Sequence, residues 1–289
     1  MPHELKDYEK YLKQLPVLPE VATKVLSATA DGIDVSFKDL QNIIKVDPGL
    51  TAKILKVANS ALYARQREIT SLQMAITLLG FKNIKSLVLL VTASNMISGL
   101  KKTKFYQTFW KHSINTAFLA KHIALRCDER ELADEAFLGG LLHDIGQTAF
   151  FNSDQKGYQT IIDQLAMVNS ELEELEKNYF GFDHKELGAS ILKNWFFPDI
   201  YVDIAREHFS LNITSKYKTI IVIVTIADLL TEILGFSFEN VNREDTLLKF
   251  LAYTTLTESD VEYYRDKYLE DLSQDTLFQE CHSLFELRT

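Results

Sequence analysis

Apolar positions recur along most of this chain at the spacing of a helix face. Ser36 and Asp39 form a Ser-x-x-Asp pair ahead of Leu40, Ile43 and Ile44, a capping signature opening an amphipathic helix. Asp47-Pro48 follows as an N-cap with proline in the first helical position, and Leu50, Ile54, Leu55 and Ala58 continue the stripe. A further helix opens at Ser71, turns Ala75, Ile76 and Leu79 inward, and stops at Gly80. Asn83 begins the next, with an apolar run from Leu87 to Val91. Residues 1–98 thus read as short helices with tight connections, and the polar stretch from Ser98 to Lys104 as a subdomain boundary.

Beyond it the pattern predicts longer helices over about 105–126, 134–150, 156–178, 184–196, 199–209 and 217–234. Ile220 to Ile226 is rich in β-branched residues and reads as a strand by propensity alone. Its length, and its continuation into Ala227-Asp-Leu-Leu-Thr-Glu, favour helix. Ser259 with Glu262 reads as another capping box, followed by the stripe Leu277, Phe278, Cys281, Leu284 and Phe285. That stripe either packs back on the body or forms a partner surface. The expected organisation is a helical subdomain over 1–98, a helical core over 99–235 and a helical extension over 236–289.

Composition agrees with an all-α reading. Five Pro and eleven Gly in 289 residues are few breakers, and 46% hydrophobic with 25% charged residues is a globular balance. The net charge of -9 argues against broad binding to phosphate backbones. One basic cluster, Lys101, Lys102, Lys104 and Lys111, is mixed with Phe105, Tyr106, Phe109 and Trp110. It reads either as a solvated helix start above a buried aromatic face or as a single-strand binding patch. Cys127 and Cys281 have no CxxC partner, which suits a reducing, cytoplasmic setting without disulfides or a thiolate zinc site. The charged N-terminus does not read as a signal peptide. The most apolar stretch, Thr219 to Phe236, carries Asp228 and Glu232, so it is expected to be buried in protein rather than inserted in a membrane.

Candidate chemistry lies where polar residues interrupt apolar faces. His112 shares a stripe with Phe109, Thr116, Leu119 and Ile123. His143 and Asp144 follow Phe137, Leu138, Leu141 and Leu142. His184 shares a face with Leu187 and Ile191, beside the capping pair Asp183 and Glu186. His208 follows Ile204 by one turn, and Asp228 follows Val224 by one turn. His3, His122 and His282 read as ordinary surface or core-edge residues. A single buried histidine is commonly satisfied by a backbone carbonyl. For the whole group, one shared cation would satisfy every member, because unpaired burial of such groups costs several kcal/mol. Imidazole with carboxylate suits iron, manganese, zinc or nickel. In the N-terminal part, Asn59 and Ser60 beside Tyr63 are the unusual polar residues, fixing a helix end or lining a groove.

Over residues 12–209 the chain resembles the HDOD family, a branch of the HD superfamily. The resemblance rests on an ordered series of motifs. These are Leu15-Pro-Val-Leu-Pro19, Asp47-Pro-Gly-Leu-Thr-Ala-Lys-Ile-Leu55, Ala58-Asn-Ser-Ala-Leu-Tyr63 and Ala75-Ile-Thr-Leu-Leu-Gly80. Phe109-Trp-Lys-His-Ser113, Phe137-Leu-Gly-Gly-Leu-Leu-His-Asp-Ile-Gly146, His184-Lys-Glu-Leu-Gly-Ala189 and Trp195-Phe-Phe-Pro198 complete it. It implies an all-α fold, with a smaller helical subdomain preceding an HD-like helical core. It implies that His112, His143, Asp144 and Asp228 correspond to the metal-holding residues of catalytic HD enzymes. His184 and His208 are similar in order to the residues that hold a second metal in HD-GYP phosphodiesterases.

The chain departs from that enzyme pattern on the side that faces substrate. Gln147 stands where those enzymes have lysine, His208-Phe209 replaces a His-His pair, and no Gly-Tyr-Pro signature occurs. The resemblance therefore implies a non-enzymatic signalling output module, possessing no catalytic residue of its own. Its input would arrive through sensor or response-regulator proteins, and a nucleotide-like ligand remains compatible. The other reading is a metal-dependent phosphohydrolase, with Asp144 bridging two cations and a metal-bound water as the reacting group.

Overall fold

The computed structural model describes residues 11, 20–28, 36–58, 69–96, 103–165, 167, 170–238, 243–285 and 287. Leu15–Pro19, Asn59, Ser60, Tyr63, Lys101 and Lys102, all singled out above, lie outside them. The described residues form helices joined by short turns, with no strand among them, so the chain is all-α.

Two compact units divide the chain. The smaller comprises Pro16–Gly99 with Glu270–Thr289. Its helices include α1 (Glu20–Ala28), α2 (Phe37–Ile44), α3 (Pro48–Ala58) and α4 (Leu72–Met96). The expected capping box is present at Ser36, whose hydroxyl accepts from the Asp39 backbone N–H while Asp39 reaches back to the Ser36 N–H. Asp47 Oδ1 accepts the Leu50 N–H at 2.9 Å, holding the start of α3. Gly80 takes φ 77° and breaks α4, as its position after Leu79 led one to expect. Leu40, Ile44, Ile54, Ala75 and Ile76 are fully buried. Near the C-terminus, α16 (Thr276–Leu284) buries Cys281, and Phe285 after it is buried too, so the inner edge of that stripe is packed.

The larger unit, Met1–Leu15 with Leu100–Leu269, carries the histidines of interest. It contains α5 (Lys104–Arg126), α6 (Ala133–Leu142), α7 (Ile145–Ser153), α8 (Gln155–Leu165) and α9 (Leu172–Phe180). These are followed by α10 (His184–Asn194), α11 (Asp199–Glu207), α12 (Lys218–Ile233), α13 (Glu244–Leu251) and α14 (Glu258–Asp266). The described helix between α14 and α16, α15, spans Tyr268–Ser273. Every residue of α12 from Ile220 to Thr231 is buried. Packing on all sides thus outweighs the β-branched propensity of Ile220–Ile226, at about 1.5–3 kcal/mol per large buried side chain. Thr225 and Thr231 satisfy their hydroxyls by donating one turn back, to the Ile221 and Ala227 carbonyls. Phe105, Tyr106, Phe109 and Trp110 are buried on α5, which removes them from any surface that could stack bases.

Three expectations need correction. The helix expected over 134–150 is two, because His143 and Asp144 form the joint between α6 and α7, and Asp144 leaves helical geometry at φ -99°, ψ 13°. The helix expected over 156–178 is also two, since Glu171 takes an extended conformation ahead of α9. Capping near the C-terminus uses Thr257 and Asp260 rather than Ser259 and Glu262. Thr257 is the residue with extended backbone, and only such a residue can turn its hydroxyl onto the first helical N–H groups.

Candidate metal centre

Close backbone packing brings the polar joints together. A Cβ on Gly140 would lie 2.9 Å from the Thr116 carbonyl oxygen and 2.9 Å from Ala117 Cα, so α6 lies against α5 one turn from His112. A Cβ on Gly146 would overlap the His184 carbonyl oxygen, so α7 lies against the start of α10. These two contacts set His143 beside His112, and Asp144 beside His184. His208 ends α11, and Asp228 projects from the middle of α12.

All six residues are buried. Their reactive atoms meet around two carboxylates. His112 Nε2 lies 3.0 Å from Asp228 Oδ1 and 3.3 Å from His143 Nε2. His143 Nε2 lies 3.5 Å from Asp228 Oδ2 and 3.4 Å from Asp144 Oδ2. The other oxygen of Asp144 faces the remaining pair, 3.2 Å from His184 Nε2 and 3.3 Å from His208 Nε2. Ligand atoms of His112, His143 and Asp228 all lie within 4.8 Å of one another, as do those of His143, Asp144 and His208. One Nε2 lone pair serves one cation at a time, so the two triads compete for His143.

The far side of each ring is anchored. His112 Nδ1 is 2.7 Å from the Phe236 carbonyl oxygen, His143 Nδ1 is 2.8 Å from that of Gly140, and His208 Nδ1 is 3.1 Å from that of Ile204. His184 Nδ1 is 2.7 Å from Glu176 Oε2. A carbonyl or carboxylate oxygen only accepts, so each Nδ1 carries a proton and each Nε2 is left to face the centre. That is the tautomer in which a histidine binds a metal through Nε2, with its orientation set from behind.

Burial opposes charge on these rings, and the carboxylates reverse the outcome for most of them. Asp144 and Asp228 push His143 up to about 9 against the cost of burial. Glu176 and Asp144 likewise overcome burial at His184 and hold it well above the ordinary histidine value. At His208 burial prevails, and its pKa is lowered. Burial also opposes the charge of Asp144 and Asp228, but the histidines facing them keep both below the usual carboxylate range. Positive charge is therefore what this centre stabilises, and the donor set, imidazole nitrogen with carboxylate oxygen, suits a divalent transition metal.

A small cavity opens beside the cluster, with about 30 Å³ of room, bounded by His112, Asp144, Gln147, Glu173, Phe209 and Arg243 among others. Gln147 Nε2 donates to Asp144 Oδ2 at 2.6 Å. Arg243 donates to Glu171 at 2.8 Å and to Glu232 at 3.1 Å, and its guanidinium carbon lies 5.1 Å from the centre of the Phe209 ring. Phe209 takes φ 65°, an uncommon conformation for a bulky residue, and its N–H donates to Thr225 Oγ1.

Sequence reasoning missed Glu176, the Phe236 carbonyl and Arg243. Glu176 carried a weak signal, one turn after the apolar Leu172 on the buried face of α9. The other two carried none, since a carbonyl has no side-chain signature and Arg243 precedes a helix of ordinary pattern.

The HDOD domain family model matches residues 15–211. The chain belongs to the HDOD family. The match ends before Asp228, so α12, the Phe236 carbonyl and Arg243 lie beyond the HDOD segment. Among curated proteins, an uncharacterized protein of Treponema pallidum (strain Nichols) is 22% identical over 219 residues, 75% of this chain. The chain spans only 42% of that relative's length. Among solved structures, an HDOD domain protein of unknown function from Geobacter sulfurreducens superposes with TM-score 0.76 at 21% identity, covering 98% of both chains. A candidate phosphohydrolase from Shewanella amazonensis SB2B gives 0.73 at 20% identity, over 96% of this chain and 98% of its own. A candidate signal transduction protein from Marinobacter aquaeolei VT8 gives 0.74 at 17% identity, over 99% of this chain and 62% of its own. At these identities the likeness establishes the HDOD fold. No helix among the described residues is long and apolar enough to cross a membrane.

Proposed function

We propose that this chain is a non-enzymatic regulatory module of signal transduction in the cytoplasm, with a divalent transition metal held in its interior. The observation that carries the metal is the convergence of four histidine Nε2 atoms, each with its Nδ1 anchored, on Asp144 and Asp228. His112, His143 and Asp228 would hold one ion, and Asp144, His184 and His208 would complete a second position. Iron, manganese, zinc and nickel all accept this donor set.

The regulatory part of the reading rests on the surroundings of the centre. Beside the cavity, Gln147 stands where the phosphodiesterases that the chain resembles carry lysine, and Phe209 where they carry a second histidine. Arg243, paired with Glu171 and Glu232, stands among the residues bounding it. Signal input would come through sensor or response-regulator proteins, in keeping with the Marinobacter relative described as a signal transduction protein.

The test joins elemental analysis of protein purified without chelator to a turnover assay on cyclic dinucleotides and nucleotides. Stoichiometric metal with no turnover is expected. Metal-free protein would defeat the metal assignment, and turnover at enzymatic rates would defeat the regulatory one. In that event the second reading, a metal-dependent phosphohydrolase, takes over. What favours it is Asp144, which turns one oxygen to each group of histidines as a carboxylate bridging two cations does. Bound metal would supply Lewis acidity and an acidified water. Asp144 would position both ions, and Gln147 would hold Asp144.

A further inference from the structure

A second cavity, of about 150 Å³, lies between the start of α5 and α8, and none of the six residues of the centre borders it. Its polar wall consists of two pairs of residues, each one helical turn apart. Lys104 and Thr108 come from α5, and Gln159 and Asp163 from α8. Gln159 Nε2 donates to Asp163 Oδ1 at 2.9 Å and leaves the second carboxylate oxygen open. No hydrogen bond or ion pair engages the Lys104 ammonium or the Thr108 hydroxyl. Lys104 and Asp163 are exposed residues, so solvent and solutes reach both charges. Half-buried Ile162 and Phe238 supply apolar wall, and the Phe238 ring lies parallel to the buried Phe105 ring with 5.5 Å between centres. A volume of about 150 Å³ takes a body on the scale of benzene.

Lys104 and Asp163 border one cavity from two helices and do not pair with each other. A plain anion would satisfy the lysine but meet the aspartate, and a plain cation the reverse; a ligand carrying both signs satisfies both. Ser237 and Phe238 border this cavity and also the one beside the metal centre. The Phe236 carbonyl oxygen, one residue before them, lies 2.7 Å from His112 Nδ1. We propose that the cavity binds a small zwitterion with an apolar body, of the kind of a free branched-chain amino acid, and that residues 236–238 pass its occupancy to His112. The ligand carboxylate would lie on Lys104 and Thr108, its ammonium on Asp163, and its side chain against Ile162 and Phe238. Neither part requires the proposed metal.

L-valine, isovalerate and isobutylamine share one branched body and carry, in turn, both charges, the negative alone and the positive alone. Calorimetric titration into the full chain should show valine bound about tenfold or more tightly than either, the scale of one charged hydrogen bond. Lys104→Met should lower valine to the affinity of isobutylamine, and Asp163→Asn to that of isovalerate. Both residues are exposed, so the fold should tolerate either change. The His112 ring signals in NMR spectra of histidine-labelled protein should move with valine in the wild type and stay fixed in Lys104→Met. Three results overturn the site. They are no binding of valine at millimolar concentration, an analogue bound as tightly as valine, and a preference that survives both substitutions, as chelation of valine by metal at the centre would give. Binding with the expected preference but an unmoved His112 overturns the coupling alone.

Discussion

Glu176 Oε2 lies 2.7 Å from His184 Nδ1 and accepts the His184 backbone N–H at 2.8 Å, so one carboxylate oxygen fixes both the ring and the start of α10. Its other oxygen accepts from the Tyr158 hydroxyl at 2.6 Å. Glu176 therefore orients a ring whose opposite nitrogen faces Asp144. If His184 ligates metal, Glu176→Leu should weaken binding at that position by about 10–100-fold, the usual effect of removing a partner behind a ligand. Glu176→Gln keeps an acceptor for Nδ1 and should lose less. Competition against a chromophoric chelator measures both.

The two groups of histidines predict separable metal positions. His112→Ala removes one member of the His112, His143 and Asp228 set, and His208→Ala one member of the Asp144, His184 and His208 set. Each should reduce metal content while leaving the other position partly filled, and the double variant should bind none. Elemental analysis of the three proteins gives the answer. Wild-type metal content in all of them would remove both histidines from the centre.

Gly146→Ala tests how the centre is assembled. The added methyl would overlap the His184 carbonyl oxygen and lie 2.8 Å from the Gly188 N, both backbone atoms that cannot swing aside. The expected cost is about 1–3 kcal/mol in chemical denaturation, with loss of metal as Asp144 and His184 separate. Gly49→Ala is the control, since its nearest neighbour is a side-chain oxygen at an ordinary 3.4 Å.

Asp260 gives a pH dependence away from the centre. The Thr257 hydroxyl and backbone N–H donate to it at 2.6 Å and 2.7 Å, Arg126 donates at 2.6 Å, and its pKa is pulled down to about 2. A carboxylate lowered on folding contributes stability that is complete above its unfolded value of about 3.9 and disappears as the pH falls through the folded one. Asp260→Ala should therefore melt below wild type near neutral pH, with a deficit of about 1 kcal/mol. That deficit should shrink between about pH 4 and pH 2. Thermal melts of the pair across that range check the sign, and a deficit that grows on acidification contradicts it.

How much of this was legible follows from the range of each interaction. Capping at Ser36 with Asp39 and at Asp183 with Glu186 is written within three residues and was readable. The C-terminal box was misplaced by two residues because Ser259 with Glu262 satisfies the same pattern, and backbone geometry at Thr257 decided between them. The joint at His143 and Asp144 was hidden by an apolar pattern that runs through it unbroken.

Local pattern alone determined that the chain is helical, and it marked His112, His143, His184, His208 and Asp228 as polar residues on apolar faces, with Asp144 noted as the neighbour of His143. Periodicity and burial are properties of neighbours along the chain, so these could be read directly. Which nitrogen of each ring faces inward was decided only by tertiary structure. It depends on acceptors as distant as Phe236 behind His112, 124 residues away, and on the close approach of α7 to α10 at Gly146. Hydrogen-bond partners across helices are chosen by packing distances of a few ångströms, and no spacing along the chain encodes those.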